Sequence, residues 1–246
     1  MIEIKNVSRK LGNFGLQNVS FKIKKGSVVA FVGDNGAGKT TTIKALFGEL
    51  KIDSGQILID GKNIFENNNL KKVAFFPDSN NVPMNIKVHD YMHYICAANG
   101  ITSDIANKKI DSVYKLLELR PYKNKKIKEL SSGWKKKAIM ASVLIRTPEY
   151  IVFDEPTANV DVESKLYFMN ILKLLVRQGI TVLITSHIIE ELQEVANYLV
   201  LIKKGEIVYE NDFDNQKEQI MDVYKQHMKS PIKDLRILQE LYRGEI

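Results

Sequence analysis

Eight consecutive residues, Gly33-Asp34-Asn35-Gly36-Ala37-Gly38-Lys39-Thr40, set glycines, an amine and a hydroxyl at the spacing Gly-x4-Gly-Lys-Thr. A loop of this composition wraps a phosphate chain. Its backbone N–H groups point inward, Lys39 reaches the outer phosphate oxygens, and the Thr40 hydroxyl is a ligand for Mg²⁺. Gly33, Gly36 and Gly38 admit backbone angles and close approaches that a Cβ forbids. A second group lies far along the chain, where the apolar run Tyr150-Ile151-Val152-Phe153 ends in Asp154-Glu155. Paired carboxylates at the end of such a run divide the work: Asp154 holds a divalent cation, and Glu155 polarises a water attacking the terminal phosphate.

These groups need a scaffold that brings them together. The run Ser27–Val32 reads as a buried strand feeding the glycine loop, and Thr41–Phe47 as the helix leaving it. Gly33, Asp34, Asn35, Gly36, Ala37, Gly38, Lys39, Thr40 and Thr41 are therefore the candidate nucleotide contacts. Strand signals recur at Ile2–Lys5, Ser20–Lys24, Gln56–Ile59, Lys72–Phe76, Tyr150–Phe153 and Ile180–Thr185, with Gly12 and Gly15 as turn residues. Asp60-Gly61 is a hairpin signal, and Leu199–Ile202 with Glu206–Tyr209 form a hairpin around Lys204-Gly205. Residues 86–118 carry helical periodicity, with Ile110, Val113 and Leu117 on one face. A helix spans Val162–Arg177, and Ile220, Val223, Tyr224, His227 and Met228 stripe an amphipathic helix near the end. Alternating strands and helices predict an α/β fold with a mainly parallel core sheet; the short N-terminal strands predict an added antiparallel sheet.

Two further motifs sit between and after these. Leu130-Ser131-Ser132-Gly133-Trp134 opens an apolar-faced helix with Ser131 at the N-cap, a start that offers hydroxyl and amide donors to an anion. His187 follows the strand Ile180–Thr185 through Ser186. His89 and His93 stand one helical turn apart, but with Asp90 where a zinc-protease helix has Glu and with no third ligand in sight.

Taken in order, these motifs resemble the ATP-binding-cassette (ABC) ATPases over about residues 1–210: phosphate loop, Leu-Ser-x-Gly-Gln signature, acidic strand, switch histidine. Asp161, six residues after Glu155, matches the family's dimer-contact aspartate. The resemblance implies a P-loop NTPase cassette with an antiparallel β subdomain and a helical subdomain at about 78–147 inserted in a domain spanning 1–212. Residues 213–246 would form a C-terminal helical extension. It implies ATP and Mg²⁺ as cofactors, with Thr40, Asp154 and Asp78 at the metal and Glu155, His187 and Lys39 in catalysis. Phe14 is the nearest substitute for the family's adenine-stacking aromatic, which falls near Leu11. Ser131 and Gly133 would meet the nucleotide of a second cassette, because two cassettes pack head to tail. The chain departs from the pattern at three points: Ser132 replaces the signature's second Gly, Trp134 its Gln, and Asp78 the Gln after the third core strand.

Composition bounds the partners. The chain has 246 residues, 44% hydrophobic, enough for a sizeable core, and a single cysteine, Cys96, which excludes an internal disulfide and fits a reducing compartment. The start at Met1-Ile2-Glu3-Ile4-Lys5 reads as a strand rather than a leader, and the longest apolar run, Ala138–Ile145, is too short to span a bilayer. The net charge of +7 favours anionic partners. Seven of the fifteen residues 123–137 are Lys, which reads as a solvated face; with no aromatic-interleaved basic platform, nucleic acid is not an expected partner. The resemblance implies a subunit peripheral to the cytoplasmic face of the membrane. A separate transmembrane permease and a second copy or paralogous cassette would complete it, and its short C-terminal extension is exporter-like, for drugs or antimicrobial peptides. Two other readings share the motifs: a soluble ABC ATPase of the iron–sulfur-assembly kind, and a weakly active cassette beside an active paralogue.

Overall fold

The phosphate-loop strand lies at the centre of a sheet buried on both faces. The computed structural model describes residues 1–77, 81–158, 160–186 and 188–228. Strand β3 (Val28–Val32) is buried at all five positions, and successive side chains alternate between two cores. Val28, Ala30 and Val32 face one cluster, while Val29 and Phe31 face the other. This is the period-two alternation of a strand with no solvent side, and it explains why the run is apolar throughout.

Around β3 the six-stranded sheet has the order β10-β9-β3-β8-β7-β6. Its members are β6 (Val73–Phe76), β7 (Tyr150–Asp154), β8 (Thr181–Thr185), β9 (Tyr198–Lys203) and β10 (Glu206–Asp212). All neighbours pair in parallel except β10 with β9. Strand β8 separates the phosphate-loop strand from the acidic strand, with Ala30 opposite Ile184 and Asp154 opposite Thr185. The loop and the carboxylates therefore leave the same carboxyl edge of the sheet, where ligands of open α/β sheets bind.

A second sheet, all antiparallel, has the order β2-β1-β4-β5. It comprises β1 (Ile2–Leu11), β2 (Phe14–Ile23), β4 (Ser54–Ile59) and β5 (Lys62–Asn63). The first two strands are much longer than the apolar runs suggest, because register shifts between Ile4 and Arg9 keep the buried side chains inward. Gly15 consequently lies within β2, opposite Lys10, and not in the turn with Gly12. A Cβ there would come within 2.5 Å of the Arg9 carbonyl. Asp60 and Gly61 both have positive φ, as a two-residue hairpin turn requires. Phe21 of this sheet stacks on Phe31 of β3 at 5.1 Å, and helix α1 (Lys39–Leu46) buries Ile43, Ala45 and Leu46 in the same core.

The other face is covered by helices. α2 (Val88–Ala98), α3 (Ser103–Leu117) and α4 (Ser132–Leu144) pack together, with Ile110, Val113 and Leu117 buried on α3. α5 (Val162–Arg177), the short α6 (Ile189–Gln193) and α7 (Ile220–Met228) complete that layer. No helix among the described residues is long and apolar enough to cross a membrane.

Candidate active site

The glycine loop takes its shape from close approaches at Gly33 and Gly38 and from left-handed backbone at Gly36 and Gly38. A Cβ on Gly33 would lie 2.4 Å from the Ile202 carbonyl of β9, so nothing larger passes that strand. Gly36 and Gly38 have φ of +78° and +117°, conformations that disfavour any side chain. Around Gly38 stand Ile202, Leu16 and the ring of Phe14, each 3.1–3.3 Å from where a Cβ would be. Phe14 is thus seated against the base of the loop. Asn35 and Gly36 are exposed, and Ala37 is buried. Thr41 is half-buried in the first turn of α1, where Thr42 returns its hydroxyl to the Gly38 carbonyl at 2.8 Å.

Lys39 is buried, with its ammonium donating to the carbonyls of Gly33 at 2.6 Å and Asp34 at 3.2 Å. Burial pushes its pKa below the usual lysine range, while Glu155, Asp154 and Asp34 oppose the shift by favouring the charged form. The amine is therefore a desolvated cation held among carboxylates and carbonyls, ready to exchange them for phosphate oxygens.

Across the sheet edge, the Thr40 hydroxyl donates to Asp154 Oδ2 at 2.9 Å and the Thr185 hydroxyl to Asp154 Oδ1 at 2.6 Å. A hydroxyl and a carboxylate converging from α1 and β7 are hard oxygen donors, the set that suits Mg²⁺ rather than a soft metal. Thr185 also fixes the next residue: the Glu155 N–H donates to the Thr185 carbonyl at 3.2 Å and hydroxyl at 3.0 Å. Glu155 itself has φ of +50°, left-handed backbone uncommon for a non-glycine residue and characteristic of functional sites. A cleft of about 850 Å³ opens here, lined in part by Thr40, Asp154, Glu155, Ser132 and Lys136.

The signature segment lies on the far wall. Ser131 caps α4, accepting from the Trp134 N–H at 3.5 Å, and is exposed. Gly133 is buried against α5, where a Cβ would meet the Ser164 hydroxyl oxygen at 2.2 Å. Asp161 caps α5, accepting from the Ser164 N–H at 2.8 Å and its hydroxyl at 2.9 Å; those bonds hold its carboxyl below the usual range. Trp134 turns into the helical layer. Its ring stacks on Tyr122 at 4.2 Å, and the Lys137 ammonium lies 4.3 Å from its centroid and 3.8 Å from that of Tyr167. Lys136 donates to the Pro156 and Ala158 carbonyls at 2.5 Å each. These two lysines are structural, unlike the exposed Lys123, Lys125, Lys126 and Lys128 of the same basic run.

The structure thus brings together Lys39, Thr40, Asp154 and Glu155, with Phe14 at the base of the loop. Ser131, Gly133 and Asp161 form a separate group at the starts of α4 and α5. Asp78 and His187 lie outside the described residues. Three participants carry no sequence signal of their own. Thr185 is legible only as the residue paired with Asp154, and Lys136 only as one of many lysines. Buried Glu191 of α6 accepts from Thr157 at 2.6 Å and Ser186 at 3.2 Å and pairs with Lys165 at 2.6 Å, tying the segments beside Glu155 and His187 to α5.

Comparison with known proteins gives a consistent answer. A sequence profile described as ABC transporter matches residues 16–158. The chain is 32% identical over 223 residues to a putative ABC transporter ATP-binding protein of Mycoplasma pneumoniae, covering 87% of this chain and 68% of that one. It is 30% identical to the SkfA peptide export ATP-binding protein SkfE of Bacillus subtilis, with 89% and 93% covered. To the zinc import ATP-binding protein ZnuC of Rickettsia bellii it is 34% identical, with 76% of each covered. A solved structure of an ATP-binding subunit of an ABC transporter superposes with a TM-score of 0.84 at 20% identity, covering 93% of this chain and all of that one.

Proposed function

Because this chain belongs to the ABC transporter family as an ATP-binding subunit, we propose that it hydrolyses ATP to drive export through a separate membrane permease. The observation that carries the hydrolytic part is the convergence of Thr40 and Asp154, 2.9 Å apart, beside the left-handed Glu155. In this reading the cassette spans 1–212, the helical subdomain about 78–147, and the extension 213–246.

The roles follow from placement. Amides of Gly33 through Thr41 and the N-terminus of α1 bind the phosphates, and Lys39 exchanges its carbonyl partners for phosphate oxygens. Phe14 supports the adenine side. Thr40 and Asp154, with Asp78, hold Mg²⁺, which when bound neutralises charge building on the transferred phosphoryl oxygens. Glu155, its backbone locked by Thr185, accepts a proton from the attacking water, and His187 lies one residue beyond Ser186 to orient the terminal phosphate. Ser131 and Gly133 present the start of α4 to the nucleotide of a second cassette, with Asp161 beside them at the interface. That second cassette is another copy or a paralogue. The complex lies peripherally on the cytoplasmic face of the membrane.

Export is supported by the short C-terminal extension and by the match along 93% of a peptide-export relative. Import relatives match at similar or higher identity, so import is the alternative that the co-purified membrane protein decides. The test has two parts. Purified chain should release phosphate from ATP in a Mg²⁺-dependent manner, and a tagged copy expressed in its host should co-purify with an integral membrane protein. Turnover without a membrane partner points to a soluble ABC ATPase; a partner without turnover points to a regulatory cassette.

A further inference from the structure

The helix α7 reaches back to the phosphate loop. Its entry is held by α6: the Gln193 side chain donates to the carbonyls of Asn215 at 3.1 Å and Glu218 at 2.8 Å, and accepts from the Ile220 N–H at 2.8 Å. Ile220 and Met228 are buried at the two ends of the helix, and the His227 ring lies 4.8 Å from that of Tyr209. From this fixed helix the Tyr224 hydroxyl donates to Asp34 Oδ1, across 190 residues of sequence. Asp34 acts on the amine that would grip the phosphates. Its carbonyl accepts from Lys39 at 3.2 Å, and its charge favours the ammonium form. A carboxylate placed in a loop built to receive a polyanion also repels that polyanion, by an amount set by where the carboxylate points.

We propose that Tyr224 is a positioning residue for nucleotide binding: its hydroxyl fixes the Asp34 carboxylate so that the phosphate loop admits a triphosphate. The assignment rests on the reading of this chain as an ATP-binding subunit and adds α7 to its machinery. Tyr224 is suited to the task because it stays a neutral donor. Burial first, and then the hydrogen bond to Asp34 and its charge, push the phenol up to about 12. The same helix docks on Gln193 of α6, and Glu191 of α6 accepts from Ser186, so α7 meets the phosphate loop directly and the segment around Ser186 through α6.

The experiment is a double-mutant cycle on the full chain, read by calorimetric titration of ATP and by Tm. Y224F is expected to weaken ATP binding about threefold to tenfold, the effect of one charge-assisted hydrogen bond in a partly exposed setting. In a D34N background, which removes the charge, the same change should leave the affinity within about twofold. Gln193→Ala, which loosens α7 without touching the loop, is expected to reproduce the loss only where Asp34 is intact. A merely structural role predicts something else: equal losses in both backgrounds, following Tm. Unchanged affinity in Y224F, or an equal loss in the D34N background, overturns the proposal. Failure of the unmutated chain to bind ATP overturns the functional reading instead.

Discussion

The two walls of the cleft are built on different plans. On the phosphate-loop wall the working groups come from neighbouring strand ends of one sheet and already meet. Thr40, Asp154 and Thr185 are joined by bonds of 2.9 and 2.6 Å, and Lys39 is held by two carbonyls of its own loop. On the signature wall, where Ser132 and Lys136 line the cleft, the neighbouring Ser131, Gly133 and Asp161 are committed to helix starts and to the α4–α5 contact. Those bonds stay within the signature wall and do not reach the phosphate loop of the same chain. The difference teaches that the loop and the acidic strand already meet within one chain, whereas the named bonds of the signature residues stay at their own helix starts, the arrangement that the proposed head-to-tail pairing requires. The sharpest tests therefore break one wall while leaving the other intact.

Glu155→Gln gives the largest effect. It keeps shape and removes the proton acceptor, so kcat should fall by about 10²–10⁴ while ATP affinity is retained. Phosphate release measures the first and titration the second. Light scattering with ATP should show a stable dimer, the pairing that the prepared signature wall predicts. Near-normal kcat would remove Glu155 from its role. Lys39→Met comes next, raising the Kd for ATP about 10- to 100-fold through loss of charge-assisted bonds. Because burial lowers the pKa of Lys39 against three opposing carboxylates, the charged amine is disfavoured where it sits. The Met variant should therefore match or exceed the parent's Tm without nucleotide. A large fall in Tm would show that Lys39 holds the fold rather than the phosphates.

The first wall was legible in the sequence because its information is local. Gly33 to Thr40 is contiguous, and the strand before it and helix after it follow from apolar patterning. Asp154-Glu155 sits at the end of a run that reads as an interior strand, and β7 is one. What stayed hidden depends on tertiary neighbours. Thr185 matters because β8 inserts between β3 and β7, an order that no periodicity encodes. Gly15 looks like a turn residue yet lies in β2, since bulges, not composition, set how far that strand runs. Tyr224 was legible as part of an amphipathic stripe, but its contact with Asp34 joins the two ends of the chain. The second wall was half legible. Ser131 reads as an N-cap, and it is one. The direction of Trp134 has no local signal: it is set by Tyr122, which its ring meets, and by Lys137, which lies over both Trp134 and Tyr167.

Gly133→Ala breaks the second wall. Its Cβ would lie 2.2 Å from the Ser164 hydroxyl oxygen, which must then rotate and release Asp161 Oδ2. Loss of that bond frees the Asp161 carboxylate at the start of α5, on the face offered to the other cassette, and turnover should fall about 10- to 100-fold. ATP affinity of the isolated chain should hold, because the phosphate loop is untouched. Ser164→Ala in the same chain removes that oxygen and moves the nearest atom to 3.2 Å, so it should restore part of the rate. A Kd loss as large as the rate loss would erase the distinction between the walls.

Trp134→Gln gives the smallest effect, and it asks whether the departure from the signature pattern is structural. The ring stack on Tyr122 at 4.2 Å and the Lys137 ammonium at 4.3 Å are each worth about 0.5–1.5 kcal/mol in comparable settings. Loss of both should lower Tm by about 2–12 °C for a chain of this size. Turnover should change less than in Gly133→Ala, since Trp134 points into the helical layer and Ser131 keeps its cap through the backbone N–H of residue 134. Trp134→Tyr, which preserves a face for Lys137, should recover most of the Tm. A change in turnover without a change in Tm would reverse the assignment, placing the side chain of residue 134 at the second cassette instead of in the core.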